Sequence, residues 1–139
     1  MQTKKASIRN LMASFSVNRC SGFSAGIDIL DRERIKKAID DHGDRFLKKI
    51  YTSRELENFP EKDELYYSIV FSLKEAFWKT LPEKIQKDVY FNDIEVIWKN
   101  KNFEIYLKGK KTKNFQVSYA FNDKIVMTTV IRGSRKKNE

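Results

Sequence analysis

The chain of 139 residues contains one cysteine, one histidine, two prolines and five glycines. Cys20 cannot form a disulfide within the chain, and a lone cysteine is typical of a reducing compartment, so we expect a cytoplasmic protein. His42 is the only histidine, so zinc sites with several His or Cys ligands and catalytic triads with a buried histidine lack a second component. If the protein is an enzyme, we expect it to use carboxylates, lysines and a hard metal ion.

Long apolar runs are also missing. The longest uncharged apolar-rich stretch, Leu65–Leu73, is far shorter than the roughly 20 residues that cross a bilayer, so we expect no membrane-spanning segment. The few glycines and prolines exclude collagen-like and low-complexity chains. Hydrophobic residues make up 40% of the chain and aromatic residues 13%, which is sufficient for one folded domain with a single core.

Basic residues dominate the charge, with 28 Lys and Arg against 19 Asp and Glu and a net charge of +9. No acidic residue precedes Asp28, and residues 1–24 are basic and rich in serine. We interpret this segment as an N-terminal extension that is either disordered or an organellar presequence. Residues 133–139 form a basic tail. The predicted domain therefore covers residues 25–132.

Capping and periodicity predict a strand, three helices and then four strands. Asp31 and Asp63 are candidate N-caps, and Thr52 with Glu55 has the pattern of a capping box. Alternating apolar residues after Pro82 predict the later strands. The predicted elements are a strand over 25–30, helices over 31–43, 52–60 and 63–82, and strands over 91–98, 103–107, 115–119 and 124–131. This order indicates an α+β fold, with the first strand and the helices packed on an antiparallel β-meander.

Two carboxylates stand at positions where a charge is costly. Asp28 is the one charged residue in the apolar first strand, and Glu75 lies mid-way along the longest predicted helix. A buried carboxylate needs a cationic partner or a metal ion. Lys79 follows Glu75 by four residues and projects from the same helical face. The pattern fits buried ion pairs with lysines, or a surface ion pair of Glu75 with Lys79, and it also fits a magnesium-assisted phosphoryl transfer, in which lysines offset charge on the phosphate.

Several segments, in this order and spacing, resemble the holo-acyl-carrier-protein synthase family of phosphopantetheinyl transferases. The specific feature is the pairing of a G-x-D segment with an F-S-x-K-E-A-x-x-K segment. The resemblance covers roughly residues 25–132. The matching segments are Gly26-Ile27-Asp28-Ile29, Thr52-Ser53-Arg54-Glu55-Leu56, Phe71-Ser72-Leu73-Lys74-Glu75-Ala76-Phe77-Trp78-Lys79 and Phe91-Asn92-Asp93-Ile94-Glu95-Val96.

The resemblance implies an enzyme that uses Mg²⁺ and coenzyme A. A serine hydroxyl of an acyl carrier protein would attack the β-phosphate of coenzyme A, releasing 3′,5′-adenosine diphosphate. Asp28 and Glu75 would hold the metal, Lys79 would contact the phosphate, and Glu75 or a metal-bound water would accept the serine proton. Lys74 and Ser118 would contact coenzyme A.

The resemblance also implies protein partners. Acyl carrier proteins are acidic, and in this family basic side chains after the aspartate receive them; Arg34, Lys37 and Arg45 occupy that region here. The family forms trimers with active sites between subunits, so we expect a homo-oligomer. Val117, Tyr119, Ile125 and Met127 are candidate packing residues for it, although alternate residues of one strand can serve only the interface or the core.

Three departures from the family pattern fall on coenzyme A contacts. Ile69-Val70 replaces Gly-Arg, Phe121 replaces a histidine, and Pro82-Glu83-Lys84-Ile85 replaces a Gly-Thr-Gly loop. The metal pair is intact. One alternative function is therefore a carrier-binding pseudoenzyme of the same fold. The other is nucleic-acid binding through the surface lysines, which we do not expect because no base-reading signature accompanies Lys108, Lys110, Lys111 and Lys113.

Overall fold

The computed structural model of the chain describes residues 22–59 and 63–133. Most of the predicted N-terminal extension and the tail after Gly133 lie outside these residues, but Phe23 and Ser24 belong to the first strand. The helices are α1 (Arg32–His42), α2 (Asp44–Ile50), α3 (Ser53–Asn58), α4 (Glu64–Lys79) and α5 (Glu83–Gln86). The strands are β1 (Phe23–Asp31), β2 (Ile94–Lys99), β3 (Asn102–Leu107), β4 (Lys110–Lys111), β5 (Phe115–Phe121) and β6 (Ile125–Gly133). The α+β fold class is confirmed.

The predicted helix starts are confirmed by their caps. The Asp31 carboxylate accepts from the Glu33 amide at 3.0 Å, and the Asp63 carboxylate accepts from the Leu65 amide at 3.2 Å. Thr52 and Glu55 form both bonds of the capping box. These bonds satisfy backbone donors that a helix start leaves free.

Gly43 ends the first helix, as predicted, and a second helix begins directly after it. Its φ of +50° is a left-handed value that glycine tolerates, and it turns the chain from α1 into α2, which the sequence had not predicted. The prediction also missed α5. A 3₁₀ turn, Phe91–Asp93, replaces the start of the predicted strand 91–98. The second predicted helix ends at Asn58, and its expected end at Pro60 lies outside the described residues.

The strands form two antiparallel sheets and not one continuous meander. One sheet has the order β1-β6-β5, and the other has the order β2-β3-β4. Strand β1 pairs along its whole length with β6, from Phe23 opposite Gly133 to Asp31 opposite Ile125. The first strand of the domain therefore pairs with the last. The register of this pairing determines which residues of the two strands lie beside each other.

Helix α4 lies at the centre of the molecule, and every residue from Tyr67 to Lys79 is buried. A helix that is buried on all sides forms part of the protein core. Strand β1 approaches it so closely that a Cβ at Gly26 would lie 1.9 Å from the Ala76 carbonyl oxygen. Within the described residues, no helix is long and apolar enough to cross a membrane.

Candidate active site

Asp28 and Glu75 lie next to each other between β1 and α4. In β1 the residues alternate, so Gly26, Asp28 and Leu30 point towards α4 while their neighbours point outwards. Asp28 is 2% exposed and Glu75 is 1% exposed. Burial, followed by the adjacent Asp28 carboxylate, raises the pKa of Glu75 to about 10. The predicted carboxylate pair is therefore present, buried and short of positive charge.

The pair fits a magnesium ion. Glu75 Oε1 is buried and has no hydrogen-bond partner among the described residues, so this acceptor can bind a cation or a proton. Among the described residues no group of three or more His, Cys, Asp or Glu side chains lies together. Two carboxylates suit Mg²⁺, which usually completes its coordination with waters and substrate phosphate.

Lys79 extends from the last turn of α4 to the same place. Its Nζ donates to the Ile27 carbonyl oxygen at 2.7 Å and forms an ion pair with Asp28 Oδ1 at 3.4 Å. The Lys79 charge also lowers the pKa of Glu75, against the larger effect of burial. The structure thus brings Asp28, Glu75 and Lys79 together: the spacing predicted the face that Glu75 and Lys79 share, and the family resemblance implied that Asp28 joins them.

Lys74 occupies a different place from the one predicted. Its Nζ is fully buried, where it forms an ion pair with Glu55 at 2.5 Å and donates to the carbonyl oxygens of Ile50 and Phe91. Burial lowers the pKa of Lys74, and burial raises the pKa of Glu55. Since the ammonium group already has three protein acceptors, we withdraw the prediction that it contacts coenzyme A. Lys74 instead ties α4 to the start of α3.

Two hydroxyl groups that the sequence did not single out as functional contact the site. Ser72 Oγ donates to Asp28 Oδ2 at 2.8 Å and lies 2.8 Å from Thr128 Oγ1. Two signals were available for Ser72: its place in the F-S-x-K-E-A-x-x-K segment and its apolar position in the α4 pattern. Thr128 gave no signal, because threonine is common on either face of a strand.

Ser118 lies away from the carboxylates. It pairs with Thr129, which in turn pairs with the exposed Ile27, so these side chains share the outer face of the sheet. Asp28 lies on the inner face. Within one chain the sheet therefore separates Ser118 from the carboxylate pair.

Val70 and Phe121, at two of the positions where the chain departs from the family pattern, have different surroundings. Phe121 is 51% exposed on the edge strand β5. Val70 is buried and borders a cavity of about 140 Å³. The other residues lining this cavity are Asn58, Phe59, Tyr66, Ile69, Trp98, Phe103 and Tyr119. The cavity is thus largely aromatic, and Val70 adds no phosphate-binding group to it.

The predicted carrier-binding residues are all exposed. Arg34 and Lys37 lie on α1, and Arg45 lies at the start of α2. By contrast, Lys111 of the lysine-rich hairpin forms an ion pair with Glu104. The hairpin's charge is thus partly neutralised, which gives no support to a nucleic-acid surface.

Comparison with known proteins identifies similar chains. Residues 24–130 match the family model described as the 4′-phosphopantetheinyl transferase superfamily. A holo-[acyl-carrier-protein] synthase of Carboxydothermus hydrogenoformans is 44% identical over 96 residues, which are 68% of this chain and 77% of that protein. One from Lactobacillus johnsonii is 32% identical over 110 residues, 76% of this chain and 92% of that protein.

Solved structures show the same fold. The holo-(acyl-carrier-protein) synthase of Bacillus anthracis, in complex with CoA (3′,5′-ADP), has a TM-score of 0.65 and 26% identity, covering 82% of this chain and 96% of that one. The Helicobacter pylori enzyme in complex with coenzyme A has a TM-score of 0.63 and 24% identity, covering 79% of this chain and 99% of that one. The described fold is therefore that of these synthases.

Proposed function

Since this chain belongs to the 4′-phosphopantetheinyl transferase superfamily and is an enzyme of that type, we propose that it transfers 4′-phosphopantetheine from coenzyme A to a serine of an acyl carrier protein. The observation that carries the proposal is the buried Asp28 and Glu75 pair beside Lys79, in which Glu75 Oε1 has no hydrogen-bond partner within residues 22–59 and 63–133. This set combines acceptors for a divalent cation with a donor for phosphate. The cytoplasmic location predicted from the single cysteine is part of the proposal, and the organellar alternative depends on residues 1–24.

The proposed chemistry needs a cation and a base. Bound Mg²⁺ would neutralise charge that develops on the phosphate oxygens during the transfer. Asp28 and Glu75 would hold it, and the Glu75 carboxylate, which loses its proton when the cation binds, would accept the proton of the attacking serine. The Lys79 ammonium group would bind the phosphate under attack. The serine oxygen forms its bond to the β-phosphorus as the bond to the leaving 3′,5′-adenosine diphosphate breaks.

The carrier surface is the exposed basic side of α1 and α2. Arg34, Lys37 and Arg45 present their charges to solvent there. An acidic carrier is attracted to such a surface, and the attraction increases the rate of encounter at low salt. We therefore propose that these three residues bind the carrier.

The active form is proposed to be a homo-oligomer, with the trimer as its expected size. An antiparallel sheet commonly presents a polar face to solvent, yet the outer face of β1 and β6 carries Ile27, Ile29, Ile125, Met127 and Ile131, each 38–48% exposed. Ile29 lies directly opposite Met127, so the apolar surface crosses both strands. A continuous apolar patch of this kind marks a protein interface, and a second copy of the chain is the proposed occupant.

Of the predicted packing residues, Ile125 and Met127 lie on this outer face. Val117 and Tyr119 pair with Val130 and Thr128, so they belong to the inner face. The position of Ser118 on the outer face also suits the expectation that one subunit completes the site of another.

Transfer is tested by mass spectrometry of an apo acyl carrier protein incubated with the enzyme, coenzyme A and Mg²⁺. We expect the phosphopantetheine adduct from the parent protein and none from folded Asp28→Ala or Glu75→Ala. Asp123→Ala, which changes an exposed carboxylate in the β5–β6 turn, is the control and should act as the parent does. Adduct formation by both site variants at the parent rate would show that the site assignment is wrong, and no adduct from the parent would refute the function.

The oligomer is tested by light scattering at micromolar concentration. Met127→Lys should reduce the mass to that of a monomer, whereas Ile85→Lys, at an exposed isoleucine on α5, should not. Mixing inactive Asp28→Ala with Ser118→Trp should restore activity if sites are shared between chains. A monomeric mass in an active parent preparation would contradict the proposal.

A further inference from the structure

A chain of three buried polar side chains crosses from β6 through α4 to β1. Thr128 lies directly opposite Asp28 in the β1–β6 pairing, with both side chains on the inner face. Ser72 of α4 lies between them, with 2.8 Å from its Oγ to each oxygen. Ser72 and Thr128 are fully buried, and Asp28 is 2% exposed. Three distant parts of the sequence therefore meet at one carboxylate oxygen.

The direction of the hydrogen bonds follows from the number of protons. A serine hydroxyl has one proton, and Ser72 uses it to donate to Asp28 Oδ2. The bond between the two hydroxyls must then be donated by Thr128 and accepted by Ser72. The protons thus point from Thr128 to Ser72 to Asp28. Thr128 acts on the carboxylate only through Ser72.

We propose that Ser72 and Thr128 are positioning residues that hold the Asp28 carboxylate ready for a divalent cation; the proposal rests on the function proposed above. The Asp28 side chain would otherwise turn about two bonds. Ser72 Oγ holds Oδ2, and Lys79 Nζ, from the last turn of the same helix, lies at Oδ1. Hydrogen bonds of this kind orient metal ligands, and losing one typically lowers metal affinity 10- to 100-fold.

A purely structural role is the competing explanation. Burying two hydroxyls in a core has a desolvation cost, which alanine and valine would avoid. Hydrogen bonds offset this cost when both hydroxyls make them. Both are bonded here, so a stability measurement alone cannot separate the two roles. A measurement of metal affinity can separate the two roles. A purely structural role predicts that the variant loses stability while its folded form keeps its affinity for the metal.

The experiment measures Mn²⁺ binding by electron paramagnetic resonance, with no substrate present. We expect Ser72→Ala to weaken binding by about 10- to 100-fold. Thr128→Val, which replaces the hydroxyl by a methyl group, should weaken it by a smaller factor that is still above about twofold, and Thr128→Ser, which keeps the hydroxyl, should retain the parent affinity. The double variant Ser72→Ala with Thr128→Val should bind no more weakly than Ser72→Ala, because Thr128 acts through Ser72.

Ser68→Ala is the matched control. Ser68 is also a buried serine of α4, and it donates to a carboxylate oxygen at 2.8 Å, but that oxygen belongs to Glu64. Its variant should retain the parent Mn²⁺ affinity even if it loses stability. A Ser68→Ala variant that weakens Mn²⁺ binding as much as Ser72→Ala does would show a general effect of the core, which overturns the proposal.

The remaining outcomes separate this proposal from the proposed function. If the parent forms the carrier adduct and binds Mn²⁺, but folded Ser72→Ala binds it within twofold of the parent, the positioning role is wrong and the function stands. If Ser72→Ala does not fold, Thr128→Val decides by the same criterion. A parent that neither binds Mn²⁺ nor forms the adduct refutes both.

Discussion

Glu75 should destabilise the metal-free protein at neutral pH, because the folded state keeps it protonated. The folded pKa is about 10, and the ordinary value is 4.5. In the unfolded state the carboxyl is ionised at pH 7, because this pH is 2.5 units above its ordinary pKa. At about 1.36 kcal/mol per unit, this ionisation favours the unfolded state by about 3 kcal/mol. Glutamine has the shape of the protonated acid and cannot ionise, so Glu75→Gln removes this penalty.

The sign of the pH dependence follows from proton counts. Between pH 4.5 and about pH 10 the folded state binds the extra proton, so the parent loses stability as pH rises through this window. We therefore expect Glu75→Gln to be about 3 kcal/mol more stable than the parent at pH 7. At pH 4.5 the unfolded carboxyl is only half ionised, so the difference should nearly disappear.

Urea unfolding in EDTA at both pH values, at one protein concentration, measures this difference. Glu57→Gln, at an exposed position of α3, is the control and should change the free energy of unfolding little at either pH. Added Mg²⁺ should stabilise the parent and not Glu75→Gln. An equal difference at pH 4.5 and pH 7, or a parent more stable than the variant at pH 7, would refute the reasoning.

Three further sets of substitutions test other parts of the structure. Gly26→Ala places a Cβ 1.9 Å from the Ala76 carbonyl oxygen, so thermal unfolding should show destabilisation of at least about 1–3 kcal/mol; an unchanged midpoint would contradict the close approach. Lys74→Met leaves Glu55 buried without its cation and should cost about 3–5 kcal/mol in urea unfolding, part of which Glu55→Gln should restore in the double variant; full stability of the single variant would contradict the buried ion pair. Arg34→Glu with Arg45→Glu should raise KM for the carrier at low salt, leave kcat unchanged and flatten the salt dependence, whereas a changed kcat at constant KM would place these residues in the chemistry instead.

The local features of the fold could be predicted from the sequence. The three helix starts follow from Asp31, Thr52 and Asp63, because a cap depends on residues at most three positions away. The buried carboxylates Asp28 and Glu75 stood out as charges in apolar segments, because desolvation makes such positions costly. The helix α2 was missed, because Gly43 predicts the end of a helix, whereas in the structure a second helix also begins directly after it.

The surroundings of those residues were decided only by the tertiary structure. The pairing of β1 with β6 brings Thr128 opposite Asp28 across about a hundred residues of chain, and no local pattern encodes that register. Lys74 and Lys79 belong to one helix, yet one is bound by Glu55 and the other reaches Asp28, because the helix is enclosed on every side and each face meets a different partner. The sequence by itself thus determined which side chains are costly to bury. Packing determined which of them meet, since the partners of a buried charge come from segments far apart in the chain.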